Sequence, residues 1–366
     1  MATTFKILTQ KDVVSTRNLL HESIPITGTI ISGTYDEPPA GGGVGSSNIK
    51  NYSHGLFQSV YDYPALSSSA NHIFDLTAGY SNSSALSAST NTQNAKKINI
   101  YNEMAQVLVG FDENNDLRRF DEDGDFVNTA TKIDDAYFIN LTRLLTKDEI
   151  KKGSFTLELG VATEHENANT ASIFLKDSDG NTSYKVNSPA GEYGILYATN
   201  AGLSTELIDN GTPWKAGLLY YQAGIAVVTA SVFESSAFGG MLSASCDMNQ
   251  DFGMIDDAFV SSSISGNCDN FRNRIGDLSF NNTTELNSTV YFCRANHNEF
   301  NYSANPTYLS ASKLVVKNNS SDIPVSYATT VGLYSPDNEL LAVAKVSEPL
   351  KKDPTNEFTL RVRLDY

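Results

Sequence analysis

From residue 154 to the C-terminus the sequence keeps returning to one pattern, a short run in which apolar and polar residues alternate, closed by a turn signal. The last run is the clearest: Phe358, Leu360, Val362, Leu364 and Tyr366 alternate with Thr359, Arg361, Arg363 and Asp365. A period of two buries one face of a strand and wets the other, so the spacing predicts a half-buried strand over 357–366. Residues 154–161 repeat it with Phe155, Leu157, Leu159 and Val161 on one face. Residues 172–176 and 183–186 flank DSDGN, which predicts a hairpin. Further strands are expected over 193–199, 217–222, 225–232, 288–295, 313–317, 326–334 and 340–346. Residues 216–233 form the most hydrophobic stretch, but Gln222 and Gly224 interrupt it. It falls short of the ~20 apolar residues of a spanning helix, and two buried strands with a turn are expected. Between 238 and 280 the alternation breaks down, and a short helix or two is expected there.

The first part of the chain reads differently. Val13, Val14, Arg17 and Leu20 sit near helical spacing, which predicts a short helix over 12–22 closed by Pro25. Pro38, Pro39 and the glycines from Gly41 to Gly45 mark a flexible loop. Residues 81–95 (SNSSALSASTNTQNA) carry no period that could bury a face. Residues 1–97 are therefore expected to be an extended, irregular arm that orders only against a neighbour. Ile100, Met104, Val107 and Leu108 predict a helix over 100–109. Thr146 and Glu149 form a capping box ahead of Lys151, Lys152 and Gly153, predicting a helix over 146–153. The expected fold class is mainly β (α+β), with β-sandwich-like domains from about residue 132, a few short helices and the arm. The expected division is 1–97 and 98–366, the latter separable at about 98–235 and 236–366.

Charge narrows the function classes. The chain has 42 acidic and 26 basic residues, a net charge of -16 and a pI near 4.7. Such a surface repels a phosphate backbone, so no nucleic-acid partner is expected, and no membrane partner either. Cys246, Cys268 and Cys293 form no CxxC pair and are an odd number, which predicts free thiols made in a reducing compartment. The N-terminal MATTFKIL lacks a signal-peptide pattern, so synthesis in the cytoplasm is expected.

A search for chemistry finds little. Asp121, Asp123, Gly124 and Asp125 resemble part of a calcium loop, yet an EF-hand counted from Asp121 would need Gly where Phe126 stands and Glu where Lys132 stands. An acidic hairpin turn is expected instead, with no metal. His165 and His297 stand without a second histidine at zinc-ligand spacing. Glu164 and Glu166 are expected to be solvated rather than a glycosidase pair. AGGGVGSSN lacks the lysine of a phosphate loop, and no GxSxG elbow occurs. Tyr61 with Tyr63, Tyr220 with Tyr221, and Tyr302 with Tyr308 could stack sugars, but core packing is the commoner fate of such pairs. No catalytic residue and no cofactor are expected.

Three segments carry a resemblance. TTVGLYSPDNELLAVAKVSEP, residues 329–349, is similar to a hairpin of tail-associated proteins of contractile-tailed bacteriophages. Residues 100–126 with 143–155, and YFCRANHNEFNYSANPTY over 291–308, resemble virion structural proteins of large T4-like myophages, many of them marine. The resemblance covers residues 98–366 better than the first ninety-odd. It implies a non-enzymatic structural subunit in the virion tail, made in the host cytoplasm. A baseplate wedge or fibre-attachment protein is its first reading, bound to other tail proteins as a homo- or hetero-oligomer. A receptor- or glycan-binding fibre module and a neck or head-decoration protein are the alternatives. The expected assembly element is the hairpin of Val331, Gly332, Leu333 and Tyr334 with Leu340, Leu341, Ala342 and Val343. There Val331, Leu333, Leu341 and Val343 would bury one face, and Gly332 would permit a bulge or a close approach.

Overall fold

The computed structural model describes residues 5–20, 25–26, 46–126, 132–145, 148–200, 208–209, 212–302, 309–310, 313–314, 321 and 323–365. The chain divides into two units, Leu20–Thr284 and Met1–Leu19 with Glu285–Tyr366.

The larger unit is built on one antiparallel sheet. Its order runs from the first half of Ile275–Ala295 through Thr156–Gly160, Ser172–Lys176, Gly191–Asn200, Lys215–Tyr220, Ile225–Thr229, Asp135–Asn140 and His72–Tyr80 to Gln58–Tyr61 and Ile49–Asn51. Each strand turns back beside its neighbour, as in Leu218↔Val227 and Val227↔Phe138. The mainly β class expected from the alternating runs is what the structure has.

The middle of this sheet is covered on both faces. Ala78 and Tyr137 are cross-strand partners, as are Thr77 and Phe138, so Tyr137 and Phe138 point to opposite sides. Phe138 meets Tyr101 of helix α1 (Asn94–Leu108) and Phe120. Tyr137 meets Phe259 of α2 (Ile255–Ser261) and Phe271 of α3 (Ile264–Arg272). Residues Ala136 to Ile139 are buried without interruption for this reason. Gly79 makes the α1 contact possible, because a Cβ there would stand 2.5 Å from the Lys97 carbonyl oxygen and 3.1 Å from the Tyr101 nitrogen.

Several expectations give way here. The stretch 12–22 is a 3₁₀ turn, Gln10–Asp12, followed by the strand Val13–Leu20. Its β-branched Val13 and Val14 suit the strand, and Ser15 bonds to Thr289 at 3.1 Å. The described residues of 1–97 do not form an arm, since His72–Tyr80 is an interior strand with Phe74, Leu76, Ala78 and Tyr80 buried. Residues 81–93 are fixed by polar bonds, Ser81 to Asp134 and Ser84 to Asp135, each at 2.6 Å. Helix α1 starts at Asn94 and buries Ile100, Tyr101, Ala105 and Leu108, leaving Val107 exposed. The helix expected over 146–153 is replaced, in its described part, by the strand Glu149–Ile150, which pairs with Asn282 and Thr283. Tertiary pairing outweighs the local capping signal there. DSDGN does form a turn, with Gly180 N bonding to Asp177 O at 2.8 Å. The strands beside it, however, both pair with Gly191–Asn200 rather than with each other. The run 225–232 is a strand only to Thr229 and then a 3₁₀ turn, Ala230–Phe233. The division falls at neither 97/98 nor 235/236. The glycine loop at 41–45 and most of the strand expected over 313–317 lie outside the described residues.

In the smaller unit, Phe358–Asp365 pairs with the last part of Ile275–Ala295, from Ser288↔Asp365 to Ala295↔Phe358. Val362 is buried while Arg361 and Arg363 are exposed, as its alternation predicts. The strands Ser326–Tyr334 and Leu340–Lys352 form a separate two-stranded ribbon.

Candidate interaction surface

The ribbon over 326–352 is tied down at its base by polar bonds. Lys352 is buried, and its ammonium donates to Asn301 Oδ1 at 2.8 Å, the Asp353 carbonyl at 2.9 Å and the His297 carbonyl at 3.2 Å. Ser326 donates to the Phe300 carbonyl. At the tip, Ser335 N bonds to Glu339 O at 2.9 Å and Asn338 takes a left-handed φ of 64°, a conformation asparagine tolerates. Ser335, Pro336, Asp337 and Asn338 thus form the turn that closes the hairpin.

All eight residues of the expected assembly hairpin lie on this ribbon, but not on the faces expected. Val331 pairs with Ala344 and Leu333 with Ala342, whereas Gly332 pairs with Val343 and Tyr334 with Leu340. The register slips between Leu333 and Tyr334, making Leu341 the extra residue of a bulge. Val331, Leu333, Ala342 and Ala344 thus share the covered face, and Leu341 and Val343 do not join them. The other face carries Tyr334 (47% exposed), Leu340 (53%) and Val343 (56%), with Leu341 (68%) turned outward beside them. Gly332 admits a close approach of a side chain: its missing Cβ leaves room for the Tyr334 ring, 2.8 Å from where that atom would stand.

Sequence reasoning missed two contributors. Phe5 packs edge-on against Tyr334 with ring centroids 5.1 Å apart, and Lys6 beside it pairs with Glu299 at 2.5 Å. Phe5 and Ile7 are both exposed.

The surface belongs to a unit with almost no apolar interior. Every residue of the hydrophobic core lies between Val60 and Phe280. Of its described apolar residues the smaller unit buries only Val290, Ala295, Leu333 and Val362, each still 7–9% exposed. Charge is divided just as unevenly. The smaller unit has 11 Lys and Arg against 10 Asp and Glu, a net +1, and the larger has 15 against 32, a net -17, together the -16 of the chain.

One oxygen from each of Asp121, Asp123 and Asp125 lies within 4.8 Å of the others. Lys132 pairs with Asp121 from the facing strand, and Lys215 stands 3.6 Å from Asp123. The turn is held by Asn187, which donates to the Gly124 carbonyl at 2.9 Å. Glu164, Glu166 and His297 are exposed, and Tyr220 and Tyr221 are core residues. Tyr61 and Tyr63 are half-buried and Tyr302 is exposed, while Tyr308 lies outside the described residues. A polar cluster no motif announced joins Lys152 to Glu192 at 2.5 Å and to Glu149 at 3.4 Å. Beside it Asp177 accepts from Gly153 N, Phe155 N and the Tyr221 hydroxyl at 2.6, 3.0 and 3.2 Å. Burial nevertheless pushes Asp177 up to about 6. Lys97, fully buried, donates to the Phe259 and Ser262 carbonyls at the end of α2, and burial lowers it to about 8. Among the described residues no helix is long and apolar enough to cross a membrane.

No family model, no curated protein and no solved structure matches this chain.

Proposed function

We propose that this chain is a structural subunit of a contractile-tailed bacteriophage virion, at the baseplate or tail periphery, acting by subunit-to-subunit binding rather than by catalysis. The observation that carries the reading is the exposed face of Tyr334, Leu340, Leu341 and Val343 on a ribbon whose unit, among its described residues, buries almost no apolar side chain. A two-stranded ribbon is marginal alone in water, and its stability comes from what packs on it. The resemblance of 329–349, and of 100–126, 143–155 and 291–308, to virion proteins supplies the setting. The test is immunogold labelling of intact purified particles with an antibody raised against the whole chain, viewed by negative-stain electron microscopy. Gold at the tail end is expected. Label at a fibre tip, neck or head moves the address, and absence from particles by mass spectrometry ends the reading.

A further inference from the structure

We infer that the exposed ribbon face is the self-association surface of this protein, and that its occupant is the same face of a second copy around a two-fold axis. The inference deepens the assembly reading and rests on it for its biological setting, though its evidence is local.

Area is the first argument. At their observed exposures Phe5, Tyr334, Leu340, Leu341 and Val343 present roughly 500 Å² of surface, more than scattered exposed side chains leave on a monomer. Two such faces would remove roughly 1,000 Å² from water, the lower bound of a specific interface and the range of reversible ones. The patch is therefore large enough for a reversible pair.

The second argument is charge. A strongly basic partner would be drawn to the larger unit, at -17, and not to a unit whose charges nearly cancel. A strongly acidic one would be repelled by the same larger unit. What fits the ribbon face is a neutral, apolar, two-stranded surface, and another copy of the ribbon is such a surface. A face that pairs with itself about a two-fold axis also closes after two copies and does not propagate.

The two charges predict opposite salt responses. Copies joined through the ribbons bring two bodies of like charge into one particle, so screening their repulsion should tighten the pair. Binding of a basic partner would weaken with salt instead.

Sedimentation equilibrium on the full chain at 50 and 500 mM NaCl, from 1 to 100 μM, tests this. Leu341→Lys and Val343→Lys are the variants, since both side chains are exposed and a lysine there leaves the monomer's packing intact. Fluorescence of the buried Trp214 during melting follows the larger unit of each variant, and circular dichroism matching wild type checks that the ribbon is folded. A wild-type dimer that tightens at least threefold at high salt, with both folded variants at least tenfold weaker, is the expected result. A monomer throughout, species larger than a dimer, or variants that pair as well as wild type would overturn the inference. Tail labelling of particles combined with a monomer would sink self-association and leave the assembly reading standing. A dimer absent from particles would do the reverse.

Discussion

Lys132 and Asp121 face each other across the short hairpin Phe120–Asp121/Lys132–Ile133, and the lysine ammonium pairs with a carboxylate that is wholly buried. Their pairing makes the acidic turn a structural element. Removing only the lysine leaves a buried charge without this partner, which typically costs about 3–5 kcal/mol. Lys132→Met should therefore lower stability strongly. The double variant Asp121→Asn/Lys132→Met should recover a good part of the loss. Urea denaturation followed by Trp214 fluorescence measures both, and additive losses would refute the coupling.

Gly79 sets how closely α1 lies on the sheet. Any Cβ there meets the Lys97 carbonyl oxygen at 2.5 Å, and that oxygen is backbone and cannot swing aside. Gly79→Val should destabilise by about 1–3 kcal/mol or more through overpacking. Gly239, where a Cβ would meet nothing within 4 Å but φ is +87°, is the control. Gly239→Val should cost only local backbone strain, about 1–3 kcal/mol in an exposed turn. Its helical circular dichroism should stay that of wild type, while Gly79→Val should lose α1 signal.

Removing residues 1–94 would take away the strands Gln58–Tyr61 and His72–Tyr80. It would expose the edge of Asp135–Asn140 together with the α3 contacts made by Leu76 and Gln58. The truncated chain should be insoluble or molten, read as loss of near-ultraviolet circular dichroism with ANS binding. A cooperative melt from the fragment would restore the arm.

That strand shows where sequence reasoning stops. Residues 326–334 and 358–365 were legible because one face of each is more covered than the other, and alternation records that asymmetry. His72–Tyr80 is covered on both faces and reads as HIFDLTAGY, with Asp75 and Thr77 breaking what apolar run remains. Thr146 and Glu149 spell a helix start locally, but Glu149 and Ile150 are held in a sheet by residues more than 130 positions away, such as Asn282. At the interaction surface the residues were legible and their faces were not. A single bulge at Leu341 sends the second half of the pattern to the other side.

The three cysteines should separate by accessibility. Cys246 and Cys268 are fully buried, with Sγ directed to the Val161 and Leu76 carbonyls at 3.3 and 3.2 Å. Burial pushes Cys246 up to about 11 and Cys268 further still. Cys293 is half-buried, and burial raises it too. Ellman's reagent at pH 8 should titrate one thiol slowly in the native protein and all three in guanidinium. Cys293→Ser should abolish the native reaction. Reaction of two or more thiols without denaturant would mean that the core around Cys246 or Cys268 opens.

Two aspartates should make the protein less stable as pH rises through the mildly acidic range. Burial is the largest influence on both Asp135 and Asp177 and lifts each from 3.8 to about 6, against the hydrogen bonds that favour the charged form. Below 3.8 the folded and unfolded chains both hold these protons, and the contribution is complete. Between 3.8 and about 6 only the folded chain holds them, so it is lost as pH climbs through 6, about 3 kcal/mol per group at most. Burial also raises Glu234 and Asp256, which adds to the same slope. Asp12, Asp353, Asp365 and Glu299 are held below their ordinary values by hydrogen bonds, so they act at lower pH and leave the window from 5 to 7.5 clear. The urea midpoint should fall between pH 5 and pH 7.5. Asp135→Asn, whose amide oxygen can still accept from Ser84, should shrink that fall, and an unchanged slope would show that Asp135 is ionised in the folded protein across the whole window.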